Sequence, residues 1–392
     1  MSPLGIGVVG AGRFAAFVAE AVADLPDVAL VAVADRDPEA AASLAKAHGI
    51  TAYDDPTALV RADEVQAVLV ATPPSSHADL AVLALDAGKH VFCEKPLATT
   101  TDGLVAVVEA AQRSAGTLVV DHVLRYNPLL RGLLRLQDRL LGAPQRFLFE
   151  NDASDEDLDD GHWFWDHAHS GGIFVEHGVH FFDAATMLLG RAPTAVQATA
   201  ARRSGTGLED LVSATVRHGD DVLATHTHSF THAHRCERQL MRLDYGTAEA
   251  RVEGWIPVLA DLDVWTDDDG VTVLEALSTD LLTVDGFGPL PDAAVQVDVE
   301  RDAGSATARG RGRQRWVPHH VRVRITLGGH EAKAFVYAGS VRAAMADLAR
   351  SASNGRRPTS GLVEGVGAVT LALAATEAAR TGSTLDLSGE TT

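Results

Sequence analysis

The feature that most constrains this chain is Gly10-Ala11-Gly12-Arg13-Phe14-Ala15, which follows the apolar run Gly5–Val9 directly and opens a helical pattern. Gly10 allows a tight turn, Gly12 lets backbone amides approach a pyrophosphate, and Ala15 lets the helix lie close to a sheet. The helix amino terminus, with Arg13 and Phe14 in its first turn, then faces the phosphates with its partial positive charge. Asp35 ends the second apolar run, where a carboxylate can accept both adenosine ribose hydroxyls; this favours NAD and repels a 2′-phosphate. Arg36 beside it can stack on adenine or pair with that phosphate, so NADP stays open as the alternative.

The rest of the first 122 residues fits a dinucleotide-binding reading. Val28–Ala34, Ala67–Ala71, His90–Cys93 and Leu118–Asp121 read as strands, separated by helical patterns at Phe14–Ala23, Pro38–Ala47, Ala78–Ala87 and Thr101–Ser114. Nearly continuous apolar strands alternating with helices predict a parallel sheet covered on both faces, a Rossmann domain over residues 1–122. Asn127–Leu141 reads as a connecting helix. Beyond it, strand patterns at 145–150, 195–201, 211–218, 222–230, 239–245 and 321–326 are interrupted by one helix, Ile173–Leu189, and followed by helices at 340–351 and 361–381. The expected fold class is therefore α/β plus α+β, with a mostly antiparallel open sheet forming a substrate-binding and oligomerisation domain over residues 123–392. The run Arg301–Arg315 reads as a solvated loop.

Composition narrows the function classes. With 53 acidic against 33 basic residues the formal charge is -20, which disfavours nucleic acid and anionic lipid as partners. No apolar run is expected to make a membrane span. Two distant cysteines, Cys93 and Cys236, suggest a reducing, cytoplasmic setting without a disulfide framework. Only four of the basic residues are lysines, so the setting of each is informative.

One of them, Lys95, lies in Cys93-Glu94-Lys95-Pro96 at the carboxyl end of a strand, where α/β sheets place ligands. Glu94 can orient a nicotinamide or tune the lysine. Upstream, Thr72 and Pro73 begin a loop that crosses the cofactor, and His77 either touches the ribose side or is a surface histidine at a helix entry. In Ile173–Leu189, Glu176, His180 and Asp183 stand at i, i+4 and i+7 and are expected to share one face. Acid, imidazole and acid within an apolar helix are costly to bury without partners, so that face belongs against a cleft; Asp183 alone reads as structural.

These segments resemble the Gfo/Idh/MocA (glucose–fructose oxidoreductase, inositol dehydrogenase, rhizopine catabolism) oxidoreductase family. The resemblance rests on Glu94-Lys95-Pro96, on Arg125-Tyr126-Asn127-Pro128, and on the stretch from Gly171-Gly172 through Glu176-His177-Gly178 and His180 to Asp183. It departs at residue 176, where the family usually has aspartate. It implies a catalytic Lys95, an NAD(P)-dependent dehydrogenase or reductase acting on CH–OH groups of a sugar, cyclitol or related polyol, and a homodimer or homotetramer.

Hydride transfer from an alcohol requires a proton to leave with it, and imidazole exchanges protons near neutral pH. His180 is the expected acid/base and Lys95 the cation that polarises the carbonyl; their roles are interchangeable at this level, and Glu176 assists. Tyr126, His177, Trp163 and Trp165 are the expected substrate contacts, the tryptophans serving either as a stacking wall or as packing on the sheet edge. His226, His228, His232 and His234 alternate and would share one side of a continuous strand, but no metal is expected because no carboxylate or cysteine stands at ligand spacing. A glycoside hydrolase using transient oxidation, an imine or enone reductase, and a silent ligand-binding protein are the alternatives.

Overall fold

A computed structural model describes residues 2–304, 306–329 and 331–389. Its amino-terminal strands are β1 (Leu4–Val9), β2 (Val28–Ala34), β3 (Thr51–Tyr53), β4 (Ala67–Val70), β5 (His90–Cys93) and β6 (Leu118–Val120). They alternate with helices α1 (Arg13–Ala21), α2 (Pro38–His48), α3 (Pro56–Arg61), α4 (His77–Asp86) and α5 (Thr101–Arg113). The six strands are parallel in the order β3-β2-β1-β4-β5-β6. Helices cover both faces, so residues of either parity, such as Val8, Val9, Val68 and Leu69, are buried. The strand order reverses between β1 and β4, opening a crevice at the carboxyl edge of the sheet. The turns after β1, β4 and β5 all end at that edge. At the first of them Gly10 has φ +96°, and a Cβ there would lie 2.5 Å from the carbonyl oxygen of Ala71. No other residue closes this turn without strain.

The rest of the chain starts with α6 (Pro128–Leu136), capped by Asn127 and continued by a π turn over Gln137–Leu141. β7 (Arg146–Asp152), α7 (His167–Ser170) and α8 (Val179–Leu189) follow, then β8 (Pro193–Arg202), β9 (Glu209–His218), β10 (Val222–Ser229), β11 (Arg238–Tyr245), β12 (Ala248–Glu253) and β13 (Leu259–Thr266). The chain goes on through α9 (Asp268–Glu275), β14 (Ala294–Glu300), β15 (Thr307–Gly310), β16 (Arg313–Trp316) and β17 (His319–Thr326). It closes with α10 (Ala332–Asn354), α11 (Leu362–Thr381) and β18 (Leu385–Asp386). A ten-stranded sheet runs β14-β17-β13-β12-β11-β7-β10-β9-β8-β18, antiparallel except where β7 meets β10. One face is apolar and packs on α8, with Phe149 stacked on Phe181 at 3.6 Å between ring centres. The other face carries charges, as in the Arg324–Asp261 pair.

Four expectations are corrected here. β12, β13 and β14 lie outside the expected strands: polar and charged residues on their outer face interrupt any apolar run, while the inner residues Val252, Leu262 and Val264 are buried. The arginine-rich run 301–315 includes much of a two-stranded hairpin, β15 paired with β16. β10 stops at Ser229, so His232 and His234 leave the line of His226 and His228. Finally, α11 is long and apolar enough, by length and composition, to cross a membrane. Here it packs against the amino-terminal sheet, where a Cβ on Gly365 would come within 2.6 Å of Val120.

The join between the two sheets contains an ion pair at the aspartate that the sequence marks as structural. Arg125, in the 3₁₀ turn Val123–Tyr126, donates through Nε to both carboxylate oxygens of Asp183 on α8, at 2.9 and 2.8 Å. The side chains are 12% and 2% exposed, and Nη1 of Arg125 also donates to the Thr359 carbonyl. Asp183→Asn would leave a buried guanidinium without its counter-charge, and breaking such a pair costs about 3–5 kcal/mol. Urea unfolding should show that loss as a lower midpoint at unchanged slope. A loss within about 1 kcal/mol would mean that the pair is solvated.

Candidate functional site

The site forms where the loop after β5 meets the segment that leads into α8. Gly171 and Gly172 have φ of +79° and +90°, and a Cβ on Gly172 would come within 2.6 Å of the His167 ring. The pair therefore delivers the chain in a path closed to other residues. Phe174–Gly178 then winds as a π turn before α8 begins at Val179. Single π turns inside helices often mark functional sites, because the extra residue re-aims its neighbours. Glu176 and His177 lie in this turn and His180 one turn on. Asp183, expected on the same face, instead reaches Arg125.

Nζ of Lys95 donates to Oε1 of Glu176 at 2.7 Å and to the Glu176 carbonyl at 2.9 Å. The longer side chain at 176 thus still spans the gap to the lysine. Oε2 of Glu94 accepts from the Lys95 amide at 2.5 Å, and the Lys95–Pro96 peptide is cis. Burial pushes the Lys95 ammonium toward the neutral form, but Glu176, Glu94 and Asp121 outweigh it and hold the pKa above that of a free lysine. Burial raises Glu94 to about 7, with the Glu176 charge adding to this while Lys95 and the backbone bond pull the other way. Burial, then the nearby Lys95, His122 and His177, push His180 well below an ordinary imidazole. The site at neutral pH thus holds a fixed ammonium beside a neutral imidazole.

Glu94, Lys95, Glu176, His177 and His180 line one cavity of about 390 Å³. Its aromatic wall consists of Phe181, Trp255 and Tyr337, and its far end of Asn151, Glu237, Gln239 and Lys333. A second of the four lysines therefore stands in the same cavity, its ammonium 5.0 Å above the Trp255 ring. Neither Trp255 nor the polar far end carries a motif; only the scarcity of lysine points to Lys333. Near His180, whose ring lies 6.3 Å from that of His122, Asp121 and His122 are buried with no hydrogen-bond partner among the described residues for any side-chain polar atom.

Other expected contacts sit elsewhere. Tyr126 is 3% exposed, donates to Asp347 at 2.9 Å and is outside the cavity wall. Trp163 and Trp165 pack with Phe164, and Nε1 of Trp165 donates to the Asp159 carbonyl; neither lines the cavity. His77 is buried, with Nδ1 at 2.8 Å from the Pro96 carbonyl and Nε2 at 2.7 Å from that of Thr72. Both nitrogens brace loops, leaving none for a ribose. Pro73 sits between Thr72 and the 3₁₀ turn at Pro74–Ser76.

The β1 turn fits a dinucleotide. Nothing lies within 4 Å of a Cβ built on Gly12, so the space over the turn is open for a pyrophosphate. The amino terminus of α1 has no side-chain cap and no acid in its first turn, which leaves its amides for an anion. Asp35 accepts from the Ala11 amide at 2.6 Å and the Asp37 amide at 2.8 Å, which sets the carboxylate beside the turn. Arg13 and Arg36 are exposed at its rim, and Phe14 packs beside Phe17. Among the described residues no group of three or more His, Cys, Asp or Glu is placed to hold a metal ion.

Residues 4–122 match the model of an oxidoreductase family with an NAD-binding Rossmann fold (GFO_IDH_MocA), and residues 135–248 match that family's carboxyl-terminal domain. The chain belongs to the Gfo/Idh/MocA oxidoreductase family. It is 34% identical over 199 residues to inositol 2-dehydrogenase of Rhizobium meliloti, covering 50% of this chain and 58% of that protein. It is 31% identical to the rhizopine catabolism protein MocA of Rhizobium meliloti, over 50% of this chain and 60% of that one. The matched stretch thus spans somewhat over half the length of these curated family members. Among solved structures, an oxidoreductase from Agrobacterium radiobacter in complex with NAD+, L-tartaric acid and magnesium superposes with a TM-score of 0.74 at 18% identity. The match covers 99% of this chain and 100% of that one. Levoglucosan dehydrogenase in complex with NADH and L-sorbose gives 0.74 at 17% identity, over 99% of each chain. At these identities the likeness is one of fold.

Proposed function

We propose that this family member is an NAD-dependent dehydrogenase or reductase acting on a secondary alcohol or ketone of a sugar, cyclitol or related polyol. The observation that carries the reading is the convergence of Lys95, Glu176 and His180 in one polar cavity, reached from the same sheet edge as the Gly10–Gly12 turn. The names of the inositol dehydrogenase relatives support the substrate class. Asp35 beside the turn favours NAD over NADP.

A bound nicotinamide supplies the hydride acceptor or donor. Gly12 and the α1 amides hold the pyrophosphate, and Asp35 the adenosine ribose. Lys95, kept cationic by its carboxylate neighbours, polarises the reacting oxygen and lowers the alcohol's pKa. His180, neutral at working pH, takes the proton as the alcohol is oxidised and returns it in reduction. Glu176 positions the Lys95 ammonium.

The test uses the purified chain with NAD or NADP and a panel of inositols, sugars and sugar acids, followed at the reduced-nicotinamide absorbance. Turnover with NAD on at least one polyol is expected. Cleavage of a glycoside without net NADH, or no dinucleotide binding by calorimetry, would overturn the reading.

A further inference from the structure

One contact in the cavity wall is unused by this mechanism. Nδ1 of His177 lies 3.0 Å from Nδ1 of His228, which rises from β10 beneath the π turn. His228 is fully buried among Phe149, Phe174, Phe181 and Phe182, and its Nε2 has no hydrogen-bond partner among the described residues. Gly178 lets it approach, since a Cβ there would sit 3.4 Å from that Nε2.

Two facing imidazole nitrogens make a hydrogen bond only if one carries the proton and the other does not. Both rings are neutral: burial, with Lys95 nearby, pushes His177 down to about 3, and burial, with His177 nearby, takes His228 well below the ordinary range. Each ring then has one N–H, leaving two arrangements. If His177 donates, the single N–H of His228 is on Nε2, buried with nothing to accept it. If His228 donates, its Nε2 is only a bare lone pair, and the N–H of His177 moves to Nε2. Buried N–H groups without acceptors are rare in folded proteins, so the second arrangement is favoured.

We propose that His228 is a positioning residue that donates to Nδ1 of His177 and so locks His177 as the tautomer whose Nε2–H serves the cavity as a hydrogen-bond donor to a substrate oxygen. The substrate part of this rests on the dehydrogenase reading; the tautomer part does not. It gives the site a neutral donor besides the Lys95 ammonium. A cyclitol such as an inositol has an oxygen on every ring carbon, so a second fixed donor selects which carbon is presented to the reacting groups.

A long-range ¹H–¹⁵N spectrum of the histidine rings in uniformly labelled protein tests the lock without dinucleotide or turnover. His177→Gln and His228→Gln variants assign the signals. The expected spectrum at neutral pH has His228 protonated at Nδ1 and His177 at Nε2. The reverse tautomers, or a doubly protonated ring, would overturn the proposal. Once a polyol is turned over, His177→Leu should raise KM about tenfold with kcat within a factor of two or three. His177→Gln, which keeps a donor, should restore most of the affinity. An equal loss in both variants would sink the donor role. If no polyol is turned over, the spectrum alone decides the lock, and the dehydrogenase reading fails separately.

Discussion

Replacing Lys95 with methionine will lower the rate of the hydride-transfer step by about 10²–10⁴-fold, with dinucleotide affinity nearly unchanged. Methionine keeps most of the side chain's apolar stem and removes the ammonium, so the loss reports charge rather than packing. The ammonium now donates to both the carboxylate and the carbonyl of Glu176 and balances Glu94 and Asp121. Without it three acidic groups face one another, and Glu94, already raised by burial, rises further. Lys95→Arg should fare little better. A planar guanidinium cannot place one nitrogen between those two oxygens and the substrate as a compact ammonium does. Single-turnover kinetics with saturating dinucleotide measure the step directly, and circular dichroism checks that the variant folds. A Lys95→Met rate within about tenfold of the native enzyme would remove the lysine from the mechanism.

Five strands of the amino-terminal sheet are legible in the sequence because they are buried on both faces and announce themselves as apolar runs; β3, with Thr51 and Ala52 exposed, is not. Lys95, Glu176 and His180 are legible too, since a polar group in an apolar helix or at a strand end needs a reason. What stays hidden shares one cause, contacts made between distant segments. Trp255, Lys333 and Tyr337 share a cavity with Lys95 only because the turn after β12 and the helix α10 are brought to it, and no local pattern marks them. Tyr126 reads as a pocket residue from its place next to Arg125, yet its phenol bonds Asp347, 221 residues away in the chain. The tryptophans of residues 163–165 suggest a sugar platform; only the structure turns them onto Phe164 and Phe230. Even the helix-face argument is altered by one extra residue, because a π turn separates Glu176 from the regular spacing of His180 and Asp183.

Acid should unfold this protein steeply, at a pH where most proteins of its size are still stable. His77, His122, His180, His218, His226 and His228 are buried and His177 lines the cavity, and burial lowers the pKa of all seven. The unfolded chain protonates each near pH 6.5, whereas the folded chain does not. The stability tied to these groups is therefore intact above about pH 6.5 and is lost as pH falls, by about 1.4 kcal/mol per pH unit for each. Glu94 and Asp121 act in the opposite sense. Burial raises Glu94 to about 7 and Asp121 well above its ordinary range, so over those ranges the folded chain keeps protons that the unfolded chain has released. The buried histidines outnumber the two carboxyls, so the net effect is a stability that falls as pH drops. Against a total stability of about 5–15 kcal/mol, the loss from several such groups is enough to unfold the chain on the acid side of pH 6.5, with net proton uptake. Near-ultraviolet circular dichroism across pH, with potentiometric proton counting, measures both quantities. His226→Leu should lower the midpoint and remove one proton from the count. His226 has no hydrogen-bond partner to lose, and its ring packs on Phe147 and Phe182. A fold intact at pH 4, or no net proton uptake on unfolding, would mean that these imidazoles charge within the native structure, and the neutral His180 of the proposed mechanism and the neutral His177 of the tautomer lock would fall with it.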